Sequence, residues 1–248
     1  MKRLIYICAA TAVLFGACNK SGGDAVMPAD GGSGQGGSLA RFTIAQNYLY
    51  VVDDMKLYSY SLADAAKPQI KSTTNLGDNI ETIYAYGDKL FIGSRNAMYI
   101  YSISDAANPE QLGQASHVRA CDPVVAKDNY AYVTVRSGNT CGGTVSALMV
   151  YDITYIMSPV LERTITMHSP YGLGVKGNRL YVCNGAAGMN VYDITSPTNP
   201  QLVKEFHDDT YYDVIPTNDL LICMVEGGTS LYQYESSQEL VKAAKISN

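Results

Sequence analysis

Short apolar runs alternate with Gly-containing turns along most of this chain, and a Pro closes each group. One group runs from Tyr181-Val182-Cys183-Asn184-Gly185 through Gly188-Met189-Asn190-Val191-Tyr192-Asp193-Ile194 to Asn199-Pro200-Gln201. Aligned on its first run, the pattern recurs at Leu49-Tyr50-Val51, Leu90-Phe91-Ile92, Ala131-Tyr132-Val133, Leu180-Tyr181-Val182 and Leu220-Leu221-Ile222. The intervals are 41, 41, 49 and 40 residues. The second run carries Tyr60, Tyr101, Tyr151, Tyr192 and Tyr234 at one fixed place. The closing Pro is Pro68, Pro109, Pro159 and Pro200, and the fifth unit lacks it. Three markers keeping one period are the mark of a repeat architecture.

Each unit has a further apolar run before the first marker, such as Phe42-Thr43-Ile44 or Leu173-Gly174-Val175, and another after the Pro. Tyr, Val and Ile favour strands over helices, so each unit of roughly 40 residues reads as four short strands, the size of a propeller blade. In Met98-Tyr99-Ile100-Tyr101 both faces are apolar, as expected where a sheet packs on neighbours through both sides. The expectation is an all-β fold: a closed ring of five four-stranded antiparallel blades, with units near 40–76, 77–117, 118–168, 169–207 and 208–248. The end blades would meet only by side-chain packing, because no strand is exchanged to clasp the termini.

The pattern starts only after about residue 40 of the 248. Lys2-Arg3 followed by the apolar stretch Leu4 to Phe15 reads as a signal peptide over 1–17, too short to span as an ordinary membrane helix. Its end, Phe15-Gly16-Ala17-Cys18, resembles a bacterial lipoprotein box, with Phe15 where that family usually has Leu. The resemblance implies lipidation at Cys18, and Asn19 is compatible with outer-membrane delivery. Residues 18–38, with Gly31-Gly32-Ser33-Gly34-Gln35-Gly36-Gly37-Ser38, read as a flexible tether for a head spanning 39–248. A net charge of −5 speaks against a nucleic-acid partner. Tyr is over-used, 20 against 4 Phe and no Trp, which suits both a strand-rich core and recognition surfaces.

In an oxidising compartment, Cys121, at the start of unit three, and Cys141, in its enlarged turn, are expected to form a disulfide that contributes about 2–4 kcal/mol. Cys183 and Cys223 align as equivalent positions one blade apart and read as buried thiols too distant to bond. His117, His168 and His207 precede the first markers by 14, 12 and 13 residues. Three such imidazoles can bind zinc, but a loop His is more often solvated, so no metal or other cofactor is expected.

The runs Leu148-Met149-Val150-Tyr151-Asp152-Ile153 and Met189-Asn190-Val191-Tyr192-Asp193-Ile194 resemble the LVIVD repeat, trailing Pro included. The resemblance covers residues 41–248 and implies a β-propeller, often on exported proteins and lipoproteins, with no settled activity. The Asp becomes Ser61, Ser102 and Glu235 in three units. Tyr132-Val133-Thr134-Val135 is also like the YVTN-type propeller repeat.

If the first strand of each unit is innermost, the residues nine before the markers, Ala40, Glu81, Asp122, Tyr171 and Tyr211, ring the mouth of the central channel. Arg136 opens the enlarged turn beside them. Glu81, Asp122, Arg136, Tyr171 and Tyr211 are therefore the candidate ligand-binding residues. Function is expected to be grafted on such special loops: a binding or scaffold head that holds a glycan, peptide or envelope protein, attached to the membrane by its lipid. The alternative is a glycan-active hydrolase using Glu81 and Asp122 as paired carboxylates. No catalytic motif supports a specific reaction.

Overall fold

The computed structural model describes residues 37–116, 123–138, 144–235 and 239–248. Each unit folds into one antiparallel sheet whose four strands pair in chain order. Blade 1 is β1 (Phe42–Ala45), β2 (Tyr48–Val52), β3 (Lys56–Ser61) and β4 (Gln69–Asn75). Blade 2 is β5 (Ile80–Tyr86), β6 (Lys89–Ser94), β7 (Ala97–Ser102) and β8 (Glu110–Ser116). Blade 3 is β9 (Val124–Lys127), β10 (Tyr130–Val135), β11 (Ala147–Asp152) and β12 (Val160–Thr166). Blade 4 is β13 (Leu173–Lys176), β14 (Arg179–Cys183), β15 (Met189–Asp193) and β16 (Gln201–Phe206), and blade 5 is β17 (Tyr211–Pro216), β18 (Leu220–Val225), β19 (Gly228–Tyr234) and β20 (Leu240–Ser247). The protein is a five-bladed β-propeller. First strands pack on one another from β1 to β5, β9, β13 and β17, so they are innermost, and the fourth strands are largely exposed.

Local chemistry sets the register. Four blades turn from first to second strand in two residues, Gln46-Asn47, Gly87-Asp88, Asp128-Asn129 and Gly177-Asn178. Their first residues have φ between 51° and 59°, the left-handed backbone that matches strand twist and favours Gly, Asn and Asp. Blade 5 differs. There Pro216 pairs with Leu221, and the turn is closed by Thr217, whose N–H donates to Leu220 O at 2.8 Å and whose Oγ1 accepts from Leu220 N at 3.0 Å. Every blade also has a bulge beside a Tyr of its third strand: Tyr60, Tyr101, Tyr151, Tyr192 and Tyr232.

These Tyr residues pair with Leu49, Leu90, Ala131, Leu180 and Leu221. The fifth-unit alignment on Leu220 and Tyr234 is therefore corrected to Leu221 and Tyr232. A one-residue slip sends every side chain to the other face, and it displaces Cys223 too. Cys183 shares a face with Tyr181, toward blade 5, while Cys223 shares a face with Leu221, toward blade 4. The two are not equivalent positions but opposed ones. Both are free, fully buried and in one cluster, with their thiols pushed up by burial.

One contact recurs between blades. Tyr50, Phe91, Tyr132 and Tyr181 of the second strands each lie against the following blade. There they join the clusters that hold Leu90 and Tyr101, Ala131 and Tyr151, Leu180 and Tyr192, and Leu221 and Tyr232 respectively. All twelve are between 0% and 6% exposed. The fifth such joint is not packed in this way. Ile222, which takes the aromatic position in blade 5, is only half-buried, as are Leu49 and Tyr60 of blade 1. Around them Phe42 is 55% and Met224 51% exposed, and β17 has no packing on β1 comparable to that between the other first strands.

The joints should therefore differ in energy. Phe91→Ala is expected to cost about 3–5 kcal/mol. Ile222→Ala, at the matching place in blade 5, should cost roughly 1 kcal/mol, since little burial is lost. Urea unfolding of the two variants beside the parent checks the order.

Candidate functional site

The starts of the first strands and the turns after the second strands share one rim, because adjacent strands run antiparallel. That rim carries Ala40, Glu81, Tyr171, Arg136 and Tyr212. Its centre is filled by the chain itself. Gly37 and Ser38 are buried, although composition assigns them to the flexible tether. The backbone N–H of Leu173 donates to Ser38 Oγ at 2.7 Å, and that hydroxyl donates to Asp213 Oδ1 at 3.2 Å. Leu39 N also donates to Asp213, at 3.4 Å, and Val214 N does so at 2.9 Å. A side chain at Gly37 or Gly172 would place Cβ 2.0 Å from an Asp213 carboxylate oxygen, so both positions require glycine. On the other side, Ala40 O accepts from Ile83 N of blade 2. The segment 37–40 thus ties blade 1 to blades 2, 4 and 5. The end blades meet here through hydrogen bonds, not through the side-chain packing expected of them. Beneath Ser38 the axial space shrinks to about 10 Å³, no more than one water requires.

Beside this plug lies an aromatic–cationic platform. The Arg136 guanidinium sits 3.8 Å from the centroid of the Tyr171 ring, and Tyr171 meets Tyr212 edge-on at 5.3 Å. Thr134 Oγ1 donates to Tyr171 O at 2.6 Å and fixes the loop between blades 3 and 4. Arg136 and Tyr171 are thus brought together. Tyr211 is not with them: it is fully buried, and its hydroxyl is engaged by Asp208 and Tyr232. The bulge between Tyr211 and Asp213 gives the rim position to Tyr212, as a nine-residue step back from Leu221 requires. Glu81 occupies the corresponding bulge of blade 2. Burial raises its carboxyl above the ordinary value, opposed by Arg95 and Arg41. Asp122, Cys18, Cys121, Cys141 and His117 lie outside the described residues.

The remaining chemistry is structural. Lys242 Nζ lies 2.7 Å from both Asp208 and Asp209, Lys245 reaches Asp209, and Ser230 Oγ donates to Asp209 at 2.8 Å. This clasp fastens β20 to the connection before β17. His168 is exposed, and His207 Nδ1 lies 3.2 Å from Ala187 O. Among the described residues, no group of three His, Cys, Asp or Glu side chains is placed to hold a metal ion. At the opposite rim the channel opens into a cavity of about 400 Å³ lined by Tyr84, Tyr86, Lys127 and Val175. Lys127 and Tyr86 both turn their polar ends to Asp128.

Among known families, the LVIVD repeat matches residues 171–208. The match spans blade 4. The Asp193 that ends this repeat's third strand accepts from Thr195 N at 2.8 Å and pairs with Arg179, so the motif Asp caps the strand and is held at about 2. Asp152 does the same with Thr154 N at 2.7 Å. No curated protein matches the sequence. Among solved structures, the chain is similar to a protein from Lactobacillus plantarum, at 15% identity and a TM-score of 0.63 over 80% of this chain and 67% of that one. It is also similar to the periplasmic gluconolactonase of Pseudomonas aeruginosa, at 11% identity and a TM-score of 0.61, covering 81% of this chain and 67% of that one. A computationally designed protein matches at 10% identity and a TM-score of 0.58, over 81% of this chain. The chain spans only 59% of that protein's length. At these identities the likeness is one of fold.

The plug makes stability depend on pH in a defined way. Burial pushes the Asp213 carboxyl up to about 6, against its hydrogen bonds from Val214, Leu39 and Ser38. Its folded value lies above the unfolded one, so its contribution is full below the ordinary carboxylate value and lost as pH rises through about 6. Asp209 is opposite. Despite desolvation, Lys242, Lys245 and Ser230 hold it at about 2, so its contribution is lost as pH falls from the ordinary value toward 2. The thermal midpoint should rise on acidification from about pH 7 to about 5 and fall again below about 4. Asp213→Asn should shrink the first limb to the part owed to Glu81, whose carboxyl is also raised by burial, and leave the second.

Proposed function

We propose that this chain is an exported lipoprotein of the bacterial cell envelope. Cys18 anchors it, in the outer membrane, and the propeller head binds a glycan, peptide or protein partner through Arg136, Tyr171 and Tyr212. The observation that carries this reading is the Arg136–Tyr171–Tyr212 platform. It joins a planar cation and two amphipathic rings on a rigid rim, the residue types that dominate recognition hot spots. The basic start, the short apolar leader and the Gly/Ser tether support the address. Two acyl chains and an acylated amine bury enough CH₂ groups for stable anchoring.

Glycan arrays and captures from envelope extracts, each run with the parent head, supply the partner. Arg136→Ala and Tyr171→Ala are expected to weaken that binding at least about tenfold, or about 1.4 kcal/mol. Tyr155→Ala, 80% exposed on the opposite rim, should leave it unchanged. Equal binding by all three variants would rule out the platform as the binding site. Cys18→Ser should release the protein from the membrane fraction, and its continued retention there would refute the anchor.

A second reading is favoured by one observation, the raised carboxyl of half-buried Glu81, which suits a general acid in a glycan-active hydrolase. Turnover of a surface glycan that disappears in Glu81→Gln would establish it over the binding reading. Turnover that persists in that variant would dismiss it.

A further inference from the structure

The four packed joints show what each face of a blade is shaped to receive. The face that carries the second-strand aromatic receives the Leu–Tyr face of the following blade. Blade 5 presents the first kind of face, through Ile215, Ile222, Met224, Leu231 and Ile246, without an occupant among the described residues. Blade 1 presents the second, through Phe42, Ile44, Leu49, Val51 and Tyr60. None of these ten residues is buried, and Ile246 is 58% exposed. A contiguous apolar face of this kind on a sheet marks an interaction surface. The blade 5 and blade 1 inner edges are linked by the plug of residues 37–40, but among the described residues the faces themselves are left uncovered.

We propose that a second copy of this chain covers them, the blade 5 face of one copy packing on the blade 1 face of the next. The occupant follows from the joint already made four times within the chain: the surface shaped to continue blade 5 is a blade 1 face, and every copy carries one. The tether is a poor alternative occupant. Between Ser21 and Ser38 its only side chains larger than Ala that are apolar are Val26, Met27 and Pro28. Because the two faces differ, the contact is heterologous, each copy donating one face and accepting on the other.

That asymmetry gives a complementation test, done with the full chain carrying Cys18→Ser to prevent lipidation. Light scattering across a concentration series should show the mass rising above one chain. Phe42→Asp and Met224→Asp alter residues already 55% and 51% exposed, so the fold should tolerate both. Each variant alone should stay monomeric, because every contact it can make includes one broken face. Mixed, the intact blade 5 of the first should take the intact blade 1 of the second, giving a 1:1 heterodimer and nothing larger. A parent that is monomeric throughout overturns the proposal. So do variants that still self-associate, or a mixture that remains monomeric while the parent associates.

Discussion

Each interior blade of this molecule is held by one repeated contact: an aromatic ring of one sheet laid on a Leu–Tyr or Ala–Tyr pair of the next. A four-stranded meander of this size cannot bury both of its faces alone, so its neighbours complete its core. Blades 2, 3 and 4 have two neighbours and are apolar on both sides, as β6, β10 and β14 show by burying successive residues. Blades 1 and 5 have one packed neighbour each, and their burial alternates, as in β18. The burial pattern of each strand therefore reports its place in the series.

What joins the ends is polar and local. Asp213 accepts hydrogen bonds from the segment entering blade 1 and carries an ionisable group into a site that resists charge, which is costly unless the group is well satisfied. Its donors come from residues 38, 39 and 214, so the carboxylate is surrounded by main chain and hydroxyl rather than by a countercharge. The same segment closes the axis at the rim where the first strands begin. A ligand on that rim thus meets the Arg136–Tyr171–Tyr212 shelf beside the plug rather than an open channel.

Much of this was legible in the residues. The period, the blade count and the strand number per blade followed from three spaced markers, whereas the innermost position of the first strand was an assumption that the packing of β1, β5, β9, β13 and β17 bears out. The slip in unit five arose because Leu220-Leu221 and Tyr232/Tyr234 each offer two residues of one type. That single ambiguity carried Tyr211 to the rim in place of Tyr212 and made Cys183 and Cys223 look equivalent. The plug was illegible for a different reason. Gly37 and Ser38 belong to a Gly/Ser run whose composition reads as tether, and glycine is required there only because Asp213, 176 residues away in the chain, occupies the space of its Cβ. The signal that could have exposed it is Asp213 itself, an acid in an otherwise apolar inner strand.

Four joints are packed and the fifth is not. Hydrogen exchange on the monomeric Phe42→Asp variant tests it most directly, because opening free energies follow local burial. Slowest exchange is expected in β10 and β11, with β2, β3, β18 and β19 opening first among the second and third strands. Equal protection of all five blades would mean that a fifth joint is packed after all, and would contradict an open seam between blade 5 and blade 1.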